Sequence, residues 1–162
     1  FEDSSLLEFA VASLERVVLD TYQRGQGVGH SLNEDQSVRG LLVDHVAVSD
    51  ALLELYQATD RDAYLDMAQE IMLFAGRALW DPDRGGFLDR VVAPDDVGLL
   101  RQAVKPFVAN CTAARVLARL SRFSGRHDFG ERAEATLASQ ASEVQSQGID
   151  AALWVLAARE LE

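Results

Sequence analysis

Six helix-length segments alternate between one apolar face and apolar character nearly all round. That alternation constrains the fold of this chain more than any other feature. Residues 5–23 carry one stripe, Leu7, Val11, Leu14, Val18 and Tyr22, with Glu8, Glu15, Arg16 and Asp20 largely off it. Residues 61–79 repeat the pattern through Tyr64, Ala68, Ile71 and Ala75, and residues 129–145 through Phe129, Ala133, Leu137 and Val144. By contrast 41–58, 108–123 and 149–161 are apolar over most of their girth. A helix with one apolar face lies on the outside of a core, and one apolar all round is enclosed. Outer and inner helices therefore alternate along the chain. Ser5 and Glu8 form a capping-box pattern at the start of the first helix.

A repeat reinforces this reading. A shift of 65 residues places Val43 on Val108, Leu52 on Leu117, Leu55 on Leu120, Arg61 on Arg126 and Ala68 on Ala133. The repeated unit is an inner helix, a tight turn and an outer helix, the signature of stacked hairpins that share one core. The connections near Asp60 and Gly125 are short, so the helices they join are antiparallel neighbours. Gly and Pro concentrate instead in 23–40 and 81–106. In an up-and-down array both of these long loops fall at one end. Loops beyond about 12–15 residues are usually functional or disordered, so that end is where a site is expected. The expected fold is all-α, an antiparallel array of three outer/inner hairpins amounting to half of an (α/α)6 toroid.

Composition narrows the partners. The 162 residues fit one domain. A net charge of -11 repels phosphate backbones, which argues against nucleic acid. Cys111 is the single cysteine, so neither an internal disulfide nor a four-cysteine zinc site can form. No run of apolar residues is long enough to span a bilayer, and no spacing points to a metal or a cofactor. Asp81-Pro82-Asp83-Arg84-Gly85-Gly86 reads as a turn, because Gly85 and Val92 stand where a calcium loop needs oxygen ligands. The start, Phe1-Glu2-Asp3-Ser4, lacks both Met and a basic stretch, and reads as the start of a fragment of a soluble, cytoplasmic protein.

Several runs resemble a known family. They are Leu41-Leu42-Val43-Asp44-His45-Val46-Ala47, then Ala51-Leu52-Leu53-Glu54-Leu55-Tyr56, then Trp80-Asp81-Pro82-Asp83-Arg84-Gly85-Gly86-Phe87. Lys105-Pro106-Phe107 follows, with Asn110 and the spacing Ala113, Ala114, Leu117, Leu120. Together they resemble the helical region of the thioredoxin-domain-containing, spermatogenesis-associated proteins. That region is similar to N-acylglucosamine 2-epimerases and six-hairpin glycosidases, which are (α/α)6 toroids. The resemblance covers most of the chain and corresponds to the C-terminal portion of the family's helical region. The family's thioredoxin-like domain has no counterpart here, and three hairpins stand in place of six. Val108 and Ala109 occupy the stretch where many relatives carry an acidic residue before the asparagine.

The resemblance implies a sugar-binding or sugar-modifying site at the long-loop end. His45 and Asp44 are the expected catalytic pair, with Asn110, His30, Trp80 and Lys105 as binding residues. Epimerase-type chemistry needs two proton-transfer groups on opposite faces of a sugar carbon, and histidine titrates in the right range. Asp44 would orient an imidazole or bind a hydroxyl, Asn110 would donate to and accept from hydroxyls, Trp80 would stack on a ring, and Lys105 would reach an anionic group. Each has a plainer alternative. His30 and His45 serve equally as polar residues at a loop and a helix start. Asp44 and Asn110 serve as caps, and Trp80 as core. A second reading is non-catalytic: a helical scaffold whose unpaired inner helices dock the rest of a toroid or a homodimer mate. Convergence of Asp44, His45 and Asn110 on one open pocket separates the two readings.

Overall fold

The computed structural model describes residues 4–32, 38–93 and 95–162. Residues 1–3, Pro94 and the 33–37 part of the first long loop lie outside it. The elements are α1 (Ser4–Thr21), a two-stranded ribbon of β1 (Tyr22–Gln23) and β2 (Gly27–Val28), α2 (Leu42–Thr59), α3 (Asp62–Ala78), α4 (Phe107–Ser124), α5 (His127–Gln140) and α6 (Ala151–Glu160). The fold is all-α, as the alternation requires. Ser5 lies inside α1 rather than capping it, and α5 stops at Gln140, where 3-10 turns over 144–150 replace the expected continuation.

The hairpins are α2/α3 and α4/α5, and α2, α4 and α6 form the inner layer. Asp60 and Gly125 close the hairpins in the left-handed conformation (φ 56° and 71°), each returning its N–H to the carbonyl four residues back. One core runs through both hairpins, with Leu42, Leu53, Ile71, Met72, Leu117, Leu120 and Phe129 out of contact with water. Each such side chain is worth roughly 1.5–3 kcal/mol of burial.

The repeat extends further than a constant shift reveals. Ala10, Ala68 and Ala133 are each the seventh residue of an outer helix, α1, α3 and α5. Leu6, Tyr64 and Phe129 are each the third. His45, Asn110 and Trp154 are each the fourth residue of an inner helix, and each of them bonds to main chain. The chain is thus three copies of one outer–inner unit, separated by loops of unequal length.

The inner layer is cross-linked by charge. The Arg119 side chain, 3% exposed, lies 2.6 Å from Asp50 and 2.8 Å from Glu54, and also donates to Gln57 at 2.6 Å. A buried guanidinium is tolerable only when its donors are satisfied this fully. Asp50, Glu54 and Gln57 on α2 stand one 65-residue shift from Arg115, Arg119 and Arg122 on α4, so one repeated stripe carries two acids and an amide in one copy and three arginines in the next.

The last inner helix departs from expectation. Within α6 only Ala157 is fully buried, and Val155 and Leu156 are about half exposed. An inner helix is enclosed by neighbours on both sides, and α6 has α4 and α5 on one side only.

Two glycines test this architecture. Gly27 (φ 75°) and Gly86 (φ 76°) precede buried Val28 and Phe87; a Cβ at Gly27 would strike His45 and Phe74, and one at Gly86 would strike the Ser139 hydroxyl and crowd Asn110. Gly27→Ala and Gly86→Ala should each destabilise by about 2–4 kcal/mol. Gly25→Ala, with positive φ but open space around it, should cost only about 1 kcal/mol. Urea denaturation of the three variants checks the ranking.

Candidate functional site

The two long loops meet at one end of the array. Leu42 N–H donates to the Asp89 carbonyl (2.8 Å), Val91 N–H to the Gly40 carbonyl (3.1 Å), and Leu41 bridges Arg90. Every predicted site residue stands at this end, on the loops or the first turns of the inner helices α2 and α4. Most of them hold the loops in place.

His45 is fully buried and stacked on Phe74, with ring centroids 5.2 Å apart. Its Nδ1 lies 2.7 Å from the Leu41 carbonyl and therefore carries the proton. Its Nε2 accepts the Val28 N–H at 3.1 Å. Both nitrogens are occupied, so no lone pair or N–H is left for a substrate. Burial pushes the His45 pKa down, against the opposing pull of the Leu41 carbonyl and Asp44, and the ring stays neutral. Asn110 does the same work one repeat later. Its Oδ1 accepts from Phe87 N–H (2.7 Å), and its Nδ2 donates to the carbonyls of Phe87 (2.9 Å) and Pro106 (3.0 Å).

Lys105 is a clasp rather than an anion hook. Its Nζ lies 2.7 Å from Asp81 and donates to the Gly85 carbonyl, closing the 81–86 turn. That ammonium, helped by the Asp83 and Arg84 N–H groups, holds the Asp81 carboxyl below its usual range. Trp80 packs edge-on against Phe87 (5.2 Å), with the Arg132 guanidinium over its ring, so its faces are engaged by protein.

Asp44 and His30 remain. His30 Nδ1 lies 3.1 Å from both Asp44 oxygens, and the imidazole is more than half exposed. Asp44 thus pairs with the imidazole of His30 and not with that of its neighbour His45. A shallow groove of about 270 Å³ runs between the starts of α2 and α4, lined by Val43, Val46, Ala47, Pro106, Val108, Ala109 and Thr112, and neither Asp44 nor His30 is part of its wall. The three residues expected to converge therefore do not share an open pocket. Asp44 keeps partial access to solvent, while His45 and Asn110 face the interior.

Sequence reasoning missed two features. One is the Arg119 cluster, which the 65-residue shift would have revealed as an acid-to-base exchange along one stripe. The other is a cleft of about 490 Å³ at the opposite, short-loop end, lined by Arg122, His127, Glu131, Glu134 and Glu160 among others. Cys111 is buried in α4 and its thiol is pushed up to about 11 by burial, which makes it an inert core residue.

No family model and no curated protein matches the chain. Solved structures do. A family 76 glycoside hydrolase from a bovine Bacteroides thetaiotaomicron strain superposes with a TM-score of 0.68 at 18% identity, over 85% of this chain and 30% of that one. Cellobiose 2-epimerase from Spirochaeta thermophila gives 0.64 at 19%, over 86% and 36%. Unsaturated glucuronyl hydrolase from Bacillus sp. GL1 gives 0.62 at 16%, over 88% and 41%. The chain spans less than half the length of each. The shared fold is that of the helical toroids to which these enzymes belong.

His45 has a pH signature. Its folded pKa lies below the unfolded 6.5, so the unfolded chain takes up a proton that the folded chain refuses. Stability from this residue is complete above about pH 6.5 and declines as pH falls from there toward the folded pKa. His45→Gln, which keeps an acceptor toward Val28 without titrating, should flatten the stability profile below pH 6.5 relative to wild type. Chemical denaturation at several pH values checks this. Cys111 should stay unreactive toward a thiol reagent until the chain unfolds.

Proposed function

We infer that this chain is a sector of a sugar-modifying (α/α)6 toroid, and that its long-loop end forms part of the wall of a carbohydrate site. One observation carries the reading. Among the residues expected to line a site, the Asp44–His30 pair keeps access to solvent (side chains 17% and 55% exposed), and Asp44 directly follows Val43, which lines the groove between the inner helices. With His30 Nδ1 donating to the Asp44 carboxylate at 3.1 Å, the carboxylate oxygens and the free imidazole Nε2 stand side by side as acceptors suited to the hydroxyl groups of a ligand. In this reading His45, Asn110 and Lys105 are positioning residues that fix the loops behind the wall, and proton transfer falls to groups elsewhere in a complete ring. The fold neighbours, a glycoside hydrolase, an epimerase and a glucuronyl hydrolase, support the substrate class. The motif resemblance supports a parent protein of the thioredoxin-domain-containing, spermatogenesis-associated family, with this chain as the C-terminal portion of its helical region.

A second reading, a non-catalytic helical scaffold, is the one favoured by the failure of Asp44, His45 and Asn110 to share an open pocket. With His45, Asn110 and Lys105 all engaged by main chain, the end that would bind a ligand is built as a rigid joint, which is what a non-catalytic scaffold needs.

Amide chemical shifts during titration with a panel of neutral and acidic mono- and disaccharides separate the two. The sugar-site reading expects saturable shifts at His30, Asp44 and the first turn of α2, lost in Asp44→Ala with the fold intact. A panel that moves no resonance at this end leaves the scaffold reading standing alone.

A further inference from the structure

The inner helices α2 and α4 keep one stripe out of the core, and its character changes along their length. On α2 it is Val43, Ala47 and Asp50, and on α4 it is Val108, Thr112 and Arg115, in each case the second, sixth and ninth residues. The first two levels, next to the long loops, wall the groove of about 270 Å³, with Val43 and Val108 51% and 44% exposed. That wall is aliphatic almost throughout. Its one hydroxyl, on Thr112, donates to the Val108 carbonyl (2.9 Å), and no aromatic ring lines it. Such a wall suits a hydrocarbon chain and offers little to the hydroxyls of a sugar.

The third level ends the groove with charge. Arg119 lies 2.6 Å from Asp50 and 2.8 Å from Glu54, and Arg122 lies 2.9 Å from Glu160, so these carboxylates already have their cations. Arg115 comes no nearer than 3.9 Å to Asp50 and Glu160, and it makes no hydrogen bond among the described residues, although its side chain is only 32% exposed. A guanidinium carries five N–H donors, and a half-buried one that uses none of them is an exception to the usual pairing of buried polar groups. Helical side chains lean toward the helix N-terminus, so Arg115 leans over Thr112, toward the groove. Arg159, at the same level of α6, is exposed and adds a second cation there.

We propose that the groove and Arg115 together form a binding site for a small carboxylate with an aliphatic body, its chain laid along Val43, Ala47, Val108 and Thr112 and its carboxylate taken by the Arg115 guanidinium. Guanidinium and carboxylate pair through two parallel hydrogen bonds, and the pair is stronger where the arginine is partly withdrawn from water, as Arg115 is. The site needs both halves of such a ligand, since the aliphatic wall has no partner for a charge and the arginine none for a chain. It is separate from the Asp44–His30 pair, neither member of which lines the groove, so it does not rest on the carbohydrate reading.

Methyl and amide shifts during titration of the full chain with hexanoate, 1-hexanol and glucuronate provide the test. Hexanoate should give saturable shifts at Val43, Ala47, Val108 and Thr112. Hexanol keeps the body and loses the charge, and glucuronate keeps the charge and loses the body, so each should bind at least about tenfold more weakly at these residues. Arg115→Gln should lower hexanoate to the level of hexanol and leave hexanol unchanged, with circular dichroism and melting checking the fold; an arginine that served only to tie the helices together would not move that ratio. Where the variant does not fold, the ratio of hexanoate to hexanol in the wild type decides. Hexanoate that shifts no groove resonance up to about 10 mM overturns the proposal. So does hexanol or glucuronate binding there as tightly as hexanoate, or a preference for hexanoate that survives Arg115→Gln.

Discussion

A buried main-chain N–H with no partner costs about 1–3 kcal/mol, and the fold is organised around avoiding that cost at its crossovers. Where the chain passes from an outer helix to an inner one it must run close under the inner helix, outside any helical hydrogen-bond ladder. Val28 and Phe87 are the deepest points of the two long crossovers, and both are sealed from water. In each case the fourth residue of the next inner helix supplies the missing bond, through a histidine ring or an asparagine amide. Trp154, the fourth residue of α6, makes a different contact, donating its indole N–H to the Leu137 carbonyl of α5 (3.0 Å). The glycines before Val28 and Phe87 follow from the same closeness, since a side chain there would occupy the space of the clasp.

This constraint bears directly on function. A group that satisfies buried backbone at both of its polar atoms is unavailable to a ligand, however suggestive its residue type. His45 is the clear case. Its neutral, tautomer-locked ring is good at accepting one N–H and unsuited to shuttling protons. In the proposed reading the ligand-facing groups are instead Asp44, one residue earlier, and His30 across the loop. The rest of the exposed inner face divides into an aliphatic groove near the loops and the charged stripes beyond it, where Arg119 fixes the carboxylates of Asp50 and Glu54. A ring completed around that face would enclose both.

The helical toroid is a fold on which many chemistries have been built, and likeness of fold alone does not choose among them. What the chain contributes to such a ring is clearer than what the ring does. It supplies three outer and three inner helices and a rigid end built by interlocked loops.

Much of this was legible in the residues alone. Amphipathic and all-round apolar segments fixed the helices, their inner or outer place and the end at which the long loops meet, because burial is a local property of a periodic pattern. The constant shift of 65 exposed only part of the repeat, since loops of unequal length throw α1 and α6 out of step with it. Residue type alone could not say whether His45 and Asn110 face a cavity or a backbone. That depends on where Val28 and Phe87 come to rest, 17 and 23 residues away. Nor could an apolar girth show that α6 would be half exposed, because enclosure needs neighbours as well as composition. Sequence determined which surfaces are fit to be buried. Tertiary structure decided which of them are, because only the packed arrangement sets what stands opposite each one.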